Sequence, residues 1–423
     1  MTSVSPLVLL RYAGFGFPLA LVALPLYVYA PQFYAERFHM SLTTIGSALL
    51  IARLFDAFID PVLGVQIDRR RFGWSYAGYI VAALPLLILG FVALFHPPDV
   101  VAAFPFWWFF LTLMLVYVGF SMASIAYQSW GAAFSYSPQI RVRLTACREA
   151  CGLAGVISAA LLVQFAGMFY LSLIFVVSLL LSAAVLIRYT VNIPAPVNLV
   201  QSHMTMRDLF AGQRFRSLFL VFVCNGTAAA IPATLFLFFT KDRLQLGALS
   251  GVLLMLYFVA AAMSMPIWTA LAKRFGEIRT WLLAMCLSIL CFIWVVALSA
   301  GDGQAFMVIC VLSGMTLGAD LALPPAILAG VIHQAGHSGQ HEGLYFGAWN
   351  WASKMNLALA AGVSLPLLEW LGYVPGTTDA GGLRALAIGY ALVPCGLKLI
   401  AALMLWRSRL HELFMSEKMA SSR

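Results

Sequence analysis

Twelve long apolar segments, separated by short polar loops, constrain the fold of this chain more than any other feature. A helix that crosses the hydrocarbon core of a bilayer needs roughly 20 apolar residues. Each segment has about that length, so we predict a helical bundle in a membrane. The predicted spans are 8–30, 42–64, 76–95, 104–130, 145–166, 169–188, 217–240, 248–271, 280–299, 304–331, 344–371 and 383–406.

The composition excludes an ordinary soluble protein. Of the 423 residues, 62% are hydrophobic and 10% are charged, and the mean hydropathy is +0.93. The net charge of +9 lies largely in short loops, so it indicates contact with anionic lipid headgroups and not with nucleic acid. The N-terminal apolar stretch lacks a cleavage-site pattern, so we interpret it as a first spanning helix and not a signal peptide.

The distribution of Lys and Arg predicts the orientation. Eighteen of these residues fall on one side of the predicted spans and four on the other, with three inside spans. Because basic loops stay in the cytoplasm, both termini are expected there, which requires an even number of spans. We therefore expect a multi-pass protein of a bacterial inner membrane.

The longest linker divides the chain into two predicted halves, 1–188 and 217–423, joined by a cytoplasmic linker at 189–216. Similar loops follow the second and eighth spans, at 60–73 and 266–276. Both have a proline near the helix end, then a basic cluster, then Phe-Gly. This pattern favours a parallel repeat of six helices, although any cytoplasmic loop can collect Arg and Gly.

The second span contains three charged residues, Arg53, Asp56 and Asp60, whose spacing places them on one helical face. A charge at membrane depth costs several kcal/mol, so it usually faces a cavity or a partner. Two carboxylates suit a small cation such as Na⁺, or a proton if their pKa values are raised. Arg53 would neutralise one of them when the site is empty. The alternative is a purely structural ion-pair cluster.

A lysine lies deep in the eleventh span, at Lys354. It is too far from either end of the span for its ammonium to reach the interface easily. We expect it to face inward and to pair with Asp56 or Asp60.

Two further charged residues lie within predicted spans. Asp320 precedes Pro324-Pro325 in the tenth span, and it is either a substrate residue or a cap where the helix breaks. Lys398 lies nearer the end of its span, so we expect it at the membrane interface.

Arg148, at the entry to the fifth span, either lines the cavity or anchors to headgroups. His333, His337 and His341 recur every four residues, but the glycines between them favour a solvated loop over a metal site. We expect no metal beyond a Na⁺ ion at the two carboxylates and no cofactor. No HExxH, GxSxG or GxxxxGK[ST] pattern is present, which argues against a hydrolase or an ATP-driven pump.

The pattern Arg53-x-x-Asp56-x-x-x-Asp60-Pro61-x-x-Gly64 resembles the glycoside–pentoside–hexuronide:cation symporters, the melibiose permease group of the major facilitator superfamily. The basic stretch 141–148, the stretch from 318 and the stretch 342–347 leading to Lys354 resemble the same family. The resemblance covers most of the chain. It implies an all-α major facilitator fold of twelve helices in two six-helix halves.

By that resemblance, Asp56 and Asp60 would bind the coupling cation and Lys354 would assist. Departures concern the sugar: relatives carry an acid in the first helix, and an acid and a tryptophan in the fourth, where this chain has Tyr127 and Gln128. Cation coupling is therefore better supported than any particular sugar. The candidate cavity residues are Arg148, Gln128, Tyr127, Asp320, Trp349 and Asn350.

We predict a monomeric secondary transporter that couples a small solute, such as a glycoside, to Na⁺ or H⁺ by alternating access. The alternatives are a transporter of lysolipids or other amphiphiles with the same fold, or an uncoupled facilitator. A membrane receptor fits worst, because no extra soluble domain is visible. A structural or assembly factor would not need three buried charges on facing helices.

Overall fold

The structure, a computed structural model, describes residues 6–40, 42–68, 75–134, 138–189, 204–338, 340–373 and 376–408. All regular elements within these ranges are helical, as expected where no water can satisfy the backbone. The helices are α1 (Pro6–Ala13), α2 (Gly16–Leu24), α3 (Ala30–Phe38), α4 (Leu42–Asp68), α5 (Tyr76–Phe95), α6 (Pro105–Phe134), α7 (Pro138–Phe165), α8 (Gly167–Tyr189), α9 (Met206–Ala211), α10 (Gln213–Phe238), α11 (Ser250–Phe275), α12 (Glu277–Phe292), α13 (Gly303–Gln334), α14 (Glu342–Trp370), α15 (Ala380–Ala387) and α16 (Val393–Arg407).

Each predicted span coincides with a helix or with a run of helical segments. The first span is the run α1 to α3, which includes a π-helical turn at Pro25–Tyr29. The last is α15 and α16 joined by a second π-helical turn, Ile388–Leu392. In the described part of the chain, nine helices are long and apolar enough to cross a membrane by length and composition. The helix α4, which carries the charged face, is not among those nine.

Local sequence signals set several helix ends. The fifth and sixth predicted spans are separate helices, because Gly167, the first residue of α8, adopts a φ of 84°. That backbone conformation is strained for residues with a side chain. Ser75 caps α5 by accepting a hydrogen bond from the N–H of Gly78. Gly276, whose φ is 88°, directly follows the last residue of α11 and ends that helix.

Proline does not break α13. The helix runs without interruption from Gly303 to Gln334 through Pro324 and Pro325. The expectation that Asp320 caps a broken helix is therefore wrong, since this residue lies inside a continuous helix.

The chain divides into two compact units. The first comprises Met1–Met204 with Ala335–Trp351, and the second comprises Thr205–Gln334 with Ala352–Arg423. The helix α14 thus begins in the first unit and ends in the second. The division at 1–188 and 217–423 stays a prediction, and most of its linker, 190–203, lies outside the described residues together with the basic loop 69–74.

Candidate functional site

Both carboxylates of the charged face on α4 are buried in the first unit. Asp56 is 4% exposed and Asp60 is fully buried. The hydroxyl of Ser121, on α6, donates a hydrogen bond of 2.8 Å to Asp56 Oδ1. The site therefore offers carboxylate oxygens beside a neutral hydroxyl oxygen, which are the atom types that Na⁺ takes as ligands. The sequence analysis did not identify Ser121, because a serine in an apolar helix is common.

The backbone of α14 lies directly against that of α4 at this site. A Cβ on Gly64 would overlap the carbonyl oxygen of Gly343. One turn along, a Cβ on Gly347 would come within 2.7 Å of the carbonyl oxygen of Asp60. Small residues four apart are the usual means by which helices approach closely in a membrane. The backbone of α14 therefore encloses the carboxylate site on α4, which we call the α4 site, on this side. The close approach of the two helices depends on glycine.

The N-terminus of α14 is capped from α4. Both carboxylate oxygens of Asp68 accept backbone hydrogen bonds, from the N–H groups of Gly343 and Leu344, at 2.6 Å each. Glu342, which is fully buried, accepts a hydrogen bond of 3.2 Å from the hydroxyl of Tyr76. A carboxylate at a helix N-terminus accepts hydrogen bonds from free N–H groups and interacts favourably with the positive end of the helix dipole. These contacts hold the start of α14 on the first unit.

Three of the candidate cavity residues take part in two hydrogen-bonded pairs in the first unit. Gln128 Nε2 donates to Asn350 Oδ1 at 3.3 Å, which links α6 to α14. Tyr127 donates to the carbonyl of Tyr12 at 2.8 Å, and Tyr12 donates to the carbonyl of Tyr127 at 2.9 Å. Trp349 is 3% exposed.

Arg148 lies on α7 and forms an ion pair with its neighbour Glu149. The distance from Arg148 Nη2 to Glu149 Oε1 is 2.6 Å, and the two side chains are 11% and 27% exposed. Arg148 also lies close to Gly16 on α2, where an added Cβ would come within 2.9 Å of the Arg148 carbonyl oxygen. The arginine side chain is thus largely shielded, which does not fit a simple headgroup anchor.

Arg53 and Lys354, the two residues that we expect to balance the charge of the carboxylates, are placed differently. Arg53 lies on α4 but is exposed, in contrast to the two carboxylates. Lys354 lies on α14 in the second unit and is half-buried. Pairing of Lys354 with Asp56 or Asp60 stays a prediction.

Asp320 belongs to a polar network inside the second unit. Its Oδ2 accepts from Lys398 Nζ at 2.6 Å, and both side chains are 9% exposed. Its Oδ1 accepts from Trp281 Nε1 at 2.8 Å and from Asn225 Nδ2 at 3.1 Å. The network joins α13 to α10, α12 and α16. The expectation that Lys398 is interfacial is therefore wrong, because its ammonium is buried against a carboxylate.

The histidine-rich segment is less solvated than we expect from its glycines. His341 is 9% exposed, and His337 Nδ1 lies 3.0 Å from the hydroxyl of Tyr345. Burial lowers the pKa of both histidines, and the proximity of His337 lowers that of His341 further. Within the described residues, no group of three or more His, Cys, Asp or Glu side chains could hold a metal ion.

Comparisons with known proteins identify the family. A family model described as MFS/sugar transport protein matches residues 12–412. The isoprimeverose transporter of Lactiplantibacillus pentosus is 26% identical over 409 residues, covering 89% of this chain and 83% of that protein. The glucuronide carrier protein homolog of Escherichia coli strain K12 is 23% identical over 407 residues, covering 89% and 86%.

Solved structures with the same fold are also transporters. An outward-facing bacterial homologue of the iron transporter ferroportin has a TM-score of 0.71 at 16% identity, covering 95% of this chain and 98% of that one. The E. coli fucose:proton symporter has a TM-score of 0.67 at 16% identity, covering 95% and 99%. At these identities the similarity shows the fold alone.

The resemblance stated from the motif on α4 is confirmed, and so is the all-α fold. The chain belongs to the MFS/sugar transport protein family, and it is a multi-pass membrane transporter with the major facilitator fold and not an enzyme.

Proposed function

We propose that this protein is a cation-coupled symporter in which Asp56 and Asp60 bind the coupling ion. The observation that carries the proposal is the burial of both carboxylates on one face of α4, with the Ser121 hydroxyl on Asp56. Two buried carboxylates are costly for stability, and a function that uses their charge explains why the chain carries them. Symporters among the related proteins support coupling to an ion.

The coupling ion is Na⁺ or H⁺. Carboxylate and hydroxyl oxygens can coordinate Na⁺, and a carboxylate can instead take up a proton. In this proposal Arg53 and Lys354 balance the negative charge when the ion is absent. Their change of partner would then shift the equilibrium between conformations.

The proposed substrate is a glycoside or a related small solute. The related isoprimeverose transporter and glucuronide carrier homolog are named for glycosides, which supports this class without settling the sugar. Arg148, Gln128, Tyr127, Asp320, Trp349 and Asn350 remain the proposed cavity residues. We further propose that the halves 1–188 and 217–423 move so that the substrate has access to each side of the membrane in turn. Both termini would lie in the cytoplasm of a bacterial cell.

The test is accumulation in proteoliposomes with an imposed Na⁺ or H⁺ gradient. Asp56→Asn and Asp60→Asn should each abolish accumulation, because Asn keeps the size of the side chain but loses the charge that binds the ion. Asp99→Asn, at an exposed position that begins a short 3₁₀ helix, is the matched control and should accumulate substrate normally. Exchange without a gradient reports whether each variant is folded and binds substrate.

Accumulation by both α4 variants at the parent level would show that the carboxylates are structural. The gradient that drives uptake by the parent protein identifies the ion.

A further inference from the structure

The second unit contains an apolar cavity of about 230 Å³ that ends at the Asp320–Lys398 ion pair. Residues from α10, α11, α12, α13 and α16 line it. Most of the lining is aliphatic or aromatic, with Phe258 and Phe292 among the rings. The hydroxyls of Ser313 and Thr316, also on the lining, donate to carbonyls of their own helix. The walls therefore offer mainly contact with an apolar group, and the hydroxyl-bearing residues Tyr257, Ser288 and Tyr390 are also on the lining.

The volume of this cavity limits what can enter. Sites that hold a whole drug-sized ligand measure roughly 300–1,000 Å³. An engineered apolar cavity of about 150 Å³ accepts benzene. At about 230 Å³, the cavity has room for one aromatic ring with a small substituent, but not for a complete disaccharide.

The polar end of the cavity has unused hydrogen-bonding capacity. An ammonium group has three donors, and within the described residues Lys398 Nζ donates to Asp320 Oδ2 alone. Both oxygens of Asp320 already accept hydrogen bonds. The amide oxygen of Asn225, a residue that is 3% exposed, accepts none in the described part of the protein.

A hydroxyl group matches this end of the cavity because it can both accept and donate. It would accept from Lys398, and the amide oxygen of Asn225, which belongs to the same network although it is not on the cavity lining, is a buried acceptor atom. A neutral group also fits better than an anion, since the carboxylate of Asp320 already balances the ammonium.

We propose that the cavity binds the aromatic aglycone of a glycoside substrate, with Lys398 donating a hydrogen bond to an oxygen on the ring. This inference rests on the proposed function for the class of the substrate. It assigns the apolar part of that substrate to the second unit and predicts a preference for 4-hydroxyphenyl glycosides.

The experiment compares methyl, phenyl and 4-hydroxyphenyl glycosides of glucose, xylose and glucuronic acid. Binding is measured by calorimetry on the full chain in lipid nanodiscs, so that no glycosidic detergent competes. Uptake is measured separately in proteoliposomes. The phenyl compound should bind about tenfold more tightly than the methyl compound because its ring leaves water. The ring hydroxyl should add roughly another factor of five to ten.

Two variants separate these contributions. Leu317→Trp fills the cavity and should abolish the preference for phenyl over methyl. Leu312→Trp is the matched control, because Leu312 lies on the same helix and is 41% exposed. The double variant Lys398→Met with Asp320→Asn removes the charges together, so no single charge is left buried. It should lose the preference for hydroxyphenyl over phenyl and keep the preference for phenyl over methyl.

Equal binding of methyl and phenyl glycosides of every sugar would overturn the inference. So would an unchanged preference in Leu317→Trp, or no binding of any glycoside. If aryl glycosides bind with the predicted preferences but are not accumulated under either gradient, the cavity assignment stands and the proposed symport fails.

Discussion

The buried carboxylates of the two units differ in how they are held. In the second unit, side chains from three other helices converge on Asp320, and one of them, Lys398, brings the opposite charge. In the first unit, Asp56 accepts from the uncharged hydroxyl of Ser121, and the backbone of α14 packs against Asp60 through Gly347. Similar burial of a carboxylate therefore does not imply a similar role. The Asp320 carboxylate forms an ion pair with Lys398, whereas Asp56 lies beside a neutral hydroxyl oxygen of the kind that Na⁺ takes as a ligand.

The largest expected effect comes from breaking the Asp320–Lys398 ion pair in the second unit. Lys398→Met removes the ammonium and leaves the buried charge of Asp320 without its partner, which should cost about 3–5 kcal/mol of stability. The double variant with Asp320→Asn should recover most of that loss. Thermal unfolding of purified protein measures both. Equal stability of the single variant and the parent protein would mean that the pair contributes nothing, and the contrast between the units would fail.

A smaller loss should follow from widening the contact between α4 and α14. Gly64→Ala places a methyl group on the carbonyl of Gly343 and should cost about 1–3 kcal/mol. Gly396→Ala, inside α16 with open space around it, is the control and should be neutral or slightly stabilising. If the two substitutions have the same effect, close backbone packing does not position the α4 site.

A change of about 1 kcal/mol is expected when Ser121→Ala removes the hydroxyl from Asp56. The apparent affinity for the coupling ion should fall about fivefold, while the rate at saturating ion stays unchanged. Thr112→Ala is the matched control, since the Thr112 hydroxyl bonds to the carbonyl of Trp108 within α6. An ion affinity that is the same in both variants would separate Ser121 from the ion site.

The smallest expected effect concerns the pH dependence of stability, and it separates the contribution of the histidines from that of the carboxylates. Burial lowers the folded-state pKa of His337 and His341 below the ordinary value of 6.5. Their neutral forms therefore stabilise the fold above about pH 6.5, and this contribution is lost as the pH falls through 6.5 toward the lowered pKa values. Unfolding measured between pH 5 and 8 should show a smaller acid-side loss in His341→Gln. If the pH profile of the variant is unchanged, the carboxylates and not His341 cause the loss of stability at acid pH.

The sequence predicted the helices well because their pattern is dictated by the solvent. Twelve runs of apolar residues must hydrogen-bond internally in lipid, and every predicted span is helical in the described residues. Within the candidate site, the cost of buried charge identified Asp56 and Asp60 without any knowledge of their neighbours.

Partners across helices could not be predicted in the same way. Lys398 was assigned to the interface because its distance from the end of the span suggested snorkelling, but only the structure shows that Asp320 is within 2.6 Å. The glycines of α14 did carry a signal, since Gly343 and Gly347 form a GxxxG pattern. That pattern indicates a close contact without identifying α4 as the partner.

The glycine contact between α4 and α14 also limits how these helices can move. Sliding α14 by one turn, about 5.4 Å, so that Gly347 faced Gly64 would bring Trp351 against the backbone at Asp60. The indole would not fit where a glycine hydrogen now lies. The start of α14 can therefore leave α4 by tilting or rotating but not by gradual translation. The contact is therefore either formed or broken, and it has no stable intermediate position.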